Sequence, residues 1–137
     1  KKIKINFKNK SLLIKSLTHK SFDKEENYEK LEFLGDRVLG LIISKKLLEI
    51  YPDEKEGIID KKFANLVNKK TCSIIARKIN IKRCMFLGSS YKFLERSDDK
   101  IISDCLEALV GAIYLDGGLK SVEKFILNFW KENLQNS

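Results

Sequence analysis

Apolar residues recur at helical spacing along most of the chain, and no segment alternates apolar with polar residues as a half-buried strand would. Leu12, Leu13, Ile14 and Leu17 predict a short helix capped by Ser11, which leads into Thr18-His19-Lys20-Ser21-Phe22. A second helix is predicted from about Tyr28 to Tyr51, ended by Pro52. Its apolar residues Leu31, Phe33, Leu34, Val38, Leu39, Leu41, Ile42, Leu47 and Leu48 cover so much of the circumference that it is expected to be central and buried. Gly35 and Gly40 each cost this helix ~1 kcal/mol relative to Ala, which close approach by a neighbouring helix would explain. A third helix is expected from about Ile58 to Ile79, with Phe63, Leu66, Val67, Ile74 and Ile75 at its apolar spacing. The polar stretch from Leu87 to Lys100 reads as a loop. Asp98 or Asp99 then caps a helix that runs to Leu115 and ends at Asp116-Gly117-Gly118. A last amphipathic helix follows from about Leu119 to Leu134. The pattern predicts an all-α, single-domain protein spanning residues 1–137, without internal repeats.

Carboxylates interrupt this apolar pattern in two places. Glu29, Glu32 and Asp36 lie within an arc of about 60° at ~100° per residue, so they share one face of the second helix. Asp104 and Glu107 stand in Ile101-Ile102-Ser103-Asp104-Cys105-Leu106-Glu107-Ala108-Leu109-Val110, a segment apolar almost all round. Burying an unpaired carboxylate is costly, and the remedies are a salt bridge, a raised pKa or a bound cation. Acidic faces on two apolar helices favour the cation. Hard divalent ions such as Mg²⁺ prefer carboxylate and water oxygens, and in a two-metal arrangement they activate a water and stabilise the leaving oxygen at phosphorus.

Composition narrows the chemistry further. The net charge of +8, from 27 basic against 19 acidic residues, favours a polyanionic partner, although many lysines can simply solvate a surface. A positive surface with a concentrated acidic site is what a metal-dependent enzyme acting on phosphodiesters needs. The one histidine, His19, cannot supply the pair of Glu-x-x-His motifs of a di-iron site, and it reads as a structural residue. Cys72, Cys84 and Cys105 have no Cys-x-x-Cys spacing and read as reduced core thiols rather than zinc ligands. No phosphate-binding glycine loop is present. The longest apolar candidate, Val38 to Ile50, is broken by Ser44, Lys45, Lys46 and Glu49, so no membrane span is expected. With no apolar leader in the first residues, the chain is expected to be soluble and cytoplasmic.

Each acid also has an ordinary reading. Glu29 suits the start of a helix by charge alone, Glu32 and Asp36 could form structural salt bridges, and Glu56 beside Gly57 looks like a first-turn acid.

The octet Glu29-Lys30-Leu31-Glu32-Phe33-Leu34-Gly35-Asp36 resembles the hallmark motif of the ribonuclease III endonuclease domain. Leu17 to Phe22, Glu56-Gly57, Leu66-Val67-Asn68 and the run Ser103 to Gly118 resemble the same family nearly end to end. The resemblance implies an all-helical homodimer that hydrolyses double-stranded RNA with Mg²⁺, Mn²⁺ being able to substitute, and leaves 5′-phosphate and 3′-hydroxyl ends with short 3′ overhangs. It implies Glu32, Asp36, Asp104 and Glu107 as metal ligands, with Asp36 and Glu107 also catalytic and Glu107 least replaceable. Glu29 and Glu56 are implied as supporting acids at the cleavage site, and Phe33 as an aromatic at the dimer seam. Three features depart from the family pattern: Asp60 stands where Ser is usual, Phe63 where a small or basic residue is common, and Ser89 to Asp99 differs from the usual linker. The double-stranded RNA-binding domain that usually follows is not expected within this chain. The alternative is a catalytically silent RNA-binding or ribosome-associated relative of the same fold, against which the retention of all six acids weighs.

Overall fold

Asn9, rather than Ser11, starts the first helix. In the computed structural model, which describes residues 5–91 and 98–137, helix α1 spans Lys10–Ser16. The Asn9 side chain accepts the Ser11 backbone N–H at 3.1 Å and the Ser11 hydroxyl at 2.6 Å. Asn caps as well as Ser does, and it reaches the first free N–H groups earlier in the chain. Helix α2, Glu29–Ile50, ends just before Pro52 as the sequence predicts.

The third predicted helix is two. Helices α3, Glu56–Val67, and α4, Lys69–Ile79, are divided at Asn68, whose backbone is extended and whose side chain accepts the Thr71 N–H at 2.8 Å. The indole N–H of buried Trp130 donates to the Leu66 carbonyl at 2.9 Å, satisfying a carbonyl left open at the end of α3. Periodicity carries across the break because both segments bury their apolar faces. Asn80, in the left-handed conformation at φ 63°, closes α4 and leads into the short α5, Ile81–Cys84.

The stretch expected as a loop contains one 3₁₀ turn, Ser89–Tyr91, and its end from Asp98 is already helical; residues 92–97, which include most of the atypical linker, lie outside the described residues. Helix α6, Asp98–Phe129, is broken in its backbone at Gly118 (φ 88°, ψ −177°), where the sequence divides two helices. Asp98 and Asp99 sit in its first turn, bonded to Lys82 at 2.7 Å and Arg77 at 2.9 Å, so they act as ion-pair partners more than as caps. After Trp130 the chain closes with α7, Lys131–Gln135, so the final predicted helix is interrupted near its end. The described residues form no strand; their one β-bridge joins Thr18 and Phe86.

Helix α2 lies along α6, with α1 and α4 also packed on α6 and α3 against α2. Leu39, Ile42, Ile43 and Leu47 of α2 and Leu106, Leu109 and Val110 of α6 are fully buried. The other side of α2 is not covered, so only one face of this helix is central: Phe33, Leu41 and Leu48 are 60%, 55% and 61% exposed. Two glycines set the crossing. A Cβ on Gly35 would overlap the Glu107 carbonyl oxygen and stand 2.9 Å from the Gly111 nitrogen, and one on Gly111 would overlap the Leu31 carbonyl oxygen. Gly40 has a different reason. The Phe63 ring lies at ordinary contact, 3.5 Å from where its Cβ would be, so Phe63 is a packing residue of the α2–α3 contact. Asp60 is exposed on α3.

All three cysteines are free thiols. Cys72 and Cys105 are buried as expected, whereas Cys84 is only partly so. Among the described residues, no helix is long and apolar enough to cross a membrane.

Candidate metal centre

The α2–α6 crossing brings the acidic faces together. With Gly35 against the backbone of Glu107, Glu32 one turn earlier on α2 and Asp36 next to Gly35 come near Glu107 and near Asp104 one turn earlier on α6. One carboxylate oxygen from each of Glu32, Asp104 and Glu107 lies within 4.8 Å of the other two, all three residues being partly buried. Asp36 adjoins this group through side-chain hydrogen bonding with Glu107.

Crowding of like charge shows in the proton affinities. Burial, then the charge of Asp36 and a hydrogen bond with it, then Glu32 and Asp104, push the Glu107 carboxyl up to about 9. Burial and the Asp104 charge also raise Glu32, partly offset by Lys100 and by a hydrogen bond with Glu107. Without a cation, burial and mutual repulsion favour a protonated carboxyl within the cluster. The Lys100 ammonium bonds Asp104 at 2.7 Å from one turn earlier on α6. Asp36 has the Arg37 guanidinium at 3.7 Å, a long and solvent-exposed pair worth little. Among the described residues, four carboxyl groups thus have one close ammonium. The donor set is all oxygen and exceeds its neighbouring positive charge, which suits a hard divalent cation.

A family model for ribonuclease-III-like proteins matches residues 9–134. The chain belongs to this family. It is 61% identical to the ribonuclease 3 of Pelagibacter ubique over 138 aligned residues, covering all of this chain and 62% of that protein. It is 46% identical to the ribonuclease 3 of Bartonella bacilliformis, covering 93% of this chain and 55% of that protein. The chain therefore spans between half and two thirds of the length of these relatives. Among solved structures, a nuclease domain of ribonuclease III from Campylobacter jejuni superposes with a TM-score of 0.87 at 37% identity, over 95% of this chain and 92% of that one. Dicer from Pichia stipitis shares the fold, with a TM-score of 0.74 at 21% identity over 99% of this chain and 61% of that one.

In this ribonuclease-III-like chain the implied acids fall into two sets. Glu32, Asp104 and Glu107 meet at the helix crossing, and Asp36 is exposed beside Glu107. Glu29 is exposed in the first turn of α2 with Lys20 at 3.8 Å, and Glu56 is exposed in the first turn of α3; neither belongs to the three-carboxylate group. Phe33 points to solvent with the Arg37 guanidinium 3.8 Å over its ring.

His19 is buried, and its role is structural at the level of hydrogen bonds. Its Nδ1 accepts the Ser21 N–H at 3.1 Å and meets the Ser21 hydroxyl at 2.7 Å, which in turn accepts the Gly88 N–H at 2.9 Å. Burial lowers its pKa. With Tyr28 and Tyr91 against the ring, it ties the 17–22 segment and the 86–91 segment to the start of α2. Reading acids alone overlooks Lys100. Its signal is the i,i+4 spacing to Asp104 on a helix.

Proposed function

We propose that this chain is the endonuclease domain of a cytoplasmic ribonuclease III, a Mg²⁺-dependent enzyme that hydrolyses phosphodiester bonds of double-stranded RNA and leaves 5′-phosphate and 3′-hydroxyl ends with short 3′ overhangs. The observation that carries the reading is the meeting of Glu32, Asp104 and Glu107 within 4.8 Å, with Asp36 beside them, in a chain of net charge +8. Glu32, Asp36, Asp104 and Glu107 would hold the ion, with Mn²⁺ able to replace Mg²⁺. When bound, such ions supply an activated water and neutralise charge developing at phosphorus. The protein's own contribution is to fix hard oxygen donors on two helices that cannot slide, because glycine backbones meet between them. With its carboxyl raised by burial and by Asp36, Glu107 would release a proton as an ion binds. Glu29 and Glu56, both exposed in the first turns of their helices and outside the three-carboxylate group, would act through water or on the RNA rather than as direct ligands.

The working unit is a homodimer, with Phe33 at its seam. The exposed apolar row Phe33, Leu41 and Leu48 on α2 supports this, as does the Campylobacter jejuni nuclease domain, which is described as having a region involved in dimer formation. Two acidic sites in one dimer would cut opposite strands of an A-form duplex recognised by shape.

The test is incubation of the protein with long duplex RNA and Mg²⁺, beside Glu107→Ala and Glu32→Gln. Cleavage by the wild type, with 5′-phosphate ends, and its loss in both variants is expected. Intact RNA with the wild type would favour the silent binding relative. Cleavage insensitive to both substitutions would move the active site elsewhere.

A further inference from the structure

Lys100 stands where helix physics gives it little reason to stand. It lies in the first turns of α6, the positive end of the helix dipole, which favours acids over cations. Its pairing with Asp104 places the base N-terminal to the acid, the weaker order for an i,i+4 pair. Yet the contact is short, at 2.7 Å, and lopsided: the Lys100 side chain is 69% exposed while that of Asp104 is 20% exposed. An ammonium reaching in from solvent to a mostly buried carboxylate is drawn by more than its one partner. Glu32 and Glu107 also favour its charged form, so it feels all three clustered carboxylates.

We propose that the Lys100 ammonium is a tethered counter-cation of the acidic cluster, holding Asp104 in place in the ion-free protein and competing with the divalent ion for it. The inference rests on the metal reading above. An ammonium bonded to Asp104 Oδ2 offsets the charge of that carboxylate, and it repels a second cation brought to either of its oxygens. Lys100 can leave, because its stem is exposed and its head is readily rehydrated. It thereby sets how tightly the site takes its ion. Among the described residues Asp36 has no equivalent close partner: Arg37 is on the same helix at 3.7 Å, with its guanidinium engaged by the Phe33 ring and the Phe33 carbonyl.

The experiment measures Mn²⁺ binding without RNA, from the free-ion paramagnetic resonance signal, for wild type, Lys100→Gln, Lys100→Met and Lys100→Arg. Melting of the ion-free proteins is followed in parallel. The two neutral variants are expected to bind Mn²⁺ three- to tenfold more tightly and to melt lower when ion-free, while Lys100→Arg stays near wild type in both. Equal or weaker Mn²⁺ binding by the neutral variants, with the wild type binding normally, would overturn the role of Lys100 alone. A wild type that binds no Mn²⁺ would overturn the metal reading and this inference with it.

Discussion

Gly35 of α2 rests directly on the backbone carbonyl of Glu107 in α6, leaving no room for a Cβ between them. This contact links fold to chemistry, because Glu107 is at once the residue whose backbone is touched and the carboxyl most affected by its neighbours. Gly35→Ala must separate the helices at the point where their acids meet. It is expected to cost about 3 kcal/mol or more, at the upper end for overpacking, since backbone rather than a side-chain tip must give way. Gly40→Ala is the control. With Phe63 at ordinary contact distance, it should stabilise α2 by up to about 1 kcal/mol through helix propensity. Urea unfolding of both variants tests the pair, and similar effects at the two positions would contradict the close-crossing account.

The Glu107 carboxyl makes ion affinity depend on pH. Its folded value of about 9 lies above that of an unfolded glutamate, so between the ordinary carboxylate range and about 9 the native state binds a proton that the unfolded chain has lost. Ion-free stability from this group is therefore fully present at acid pH and declines as pH rises through that window. Ion binding displaces the proton, so Mg²⁺ affinity should rise from pH 6 to pH 8 by up to ~10-fold per unit. Calorimetric titrations at several pH values, in buffers of different ionisation enthalpy, would detect the released proton. A pH-independent affinity with no proton release would refute the assignment.

Phe33→Asp bears on assembly. Phe33 is already exposed in the single chain, so the substitution should leave the fold and its melting nearly unchanged. At an apolar seam, however, it would bury an unpaired charge, and sedimentation should shift from dimer toward monomer. A wild type that sediments as a monomer at micromolar concentration would remove the two-site cutting scheme.

Ser21 joins the 17–22 and 86–91 segments. Ser21→Ala removes the hydroxyl that bridges His19 Nδ1 and the Gly88 N–H, leaving a part-buried donor without that partner. A loss of about 1–3 kcal/mol is expected, with faster amide exchange at Gly88. Unchanged exchange there would mean that the bridge does not hold the 86–91 segment.

Much of this protein was legible in one dimension. Helix period, Pro52 and the Gly117-Gly118 pair located α2 and both arms of α6, because a helix is fixed by residues that are neighbours in sequence. The 60° arc of Glu29, Glu32 and Asp36 was equally local, as was the i,i+3 pair Asp104 and Glu107. Other features depended on partners far along the chain. The division of α3 from α4 at Asn68 is supported by Trp130, and the N-terminal segment is held by Asp116, whose carboxylate accepts the N–H groups of Lys8 and Asn9 at 2.9 Å each. Which acids meet was also beyond periodicity: Glu29 shares a helix face with Glu32, yet it stands a turn too far from the crossing and stays with Lys20 in solvent. The sequence by itself determined where the long helices α2 and α6 run and which of their faces are acidic, since both follow from spacing. Only tertiary structure decided that those faces oppose each other, because that depends on two glycines, 76 positions apart (111 − 35), letting two backbones touch.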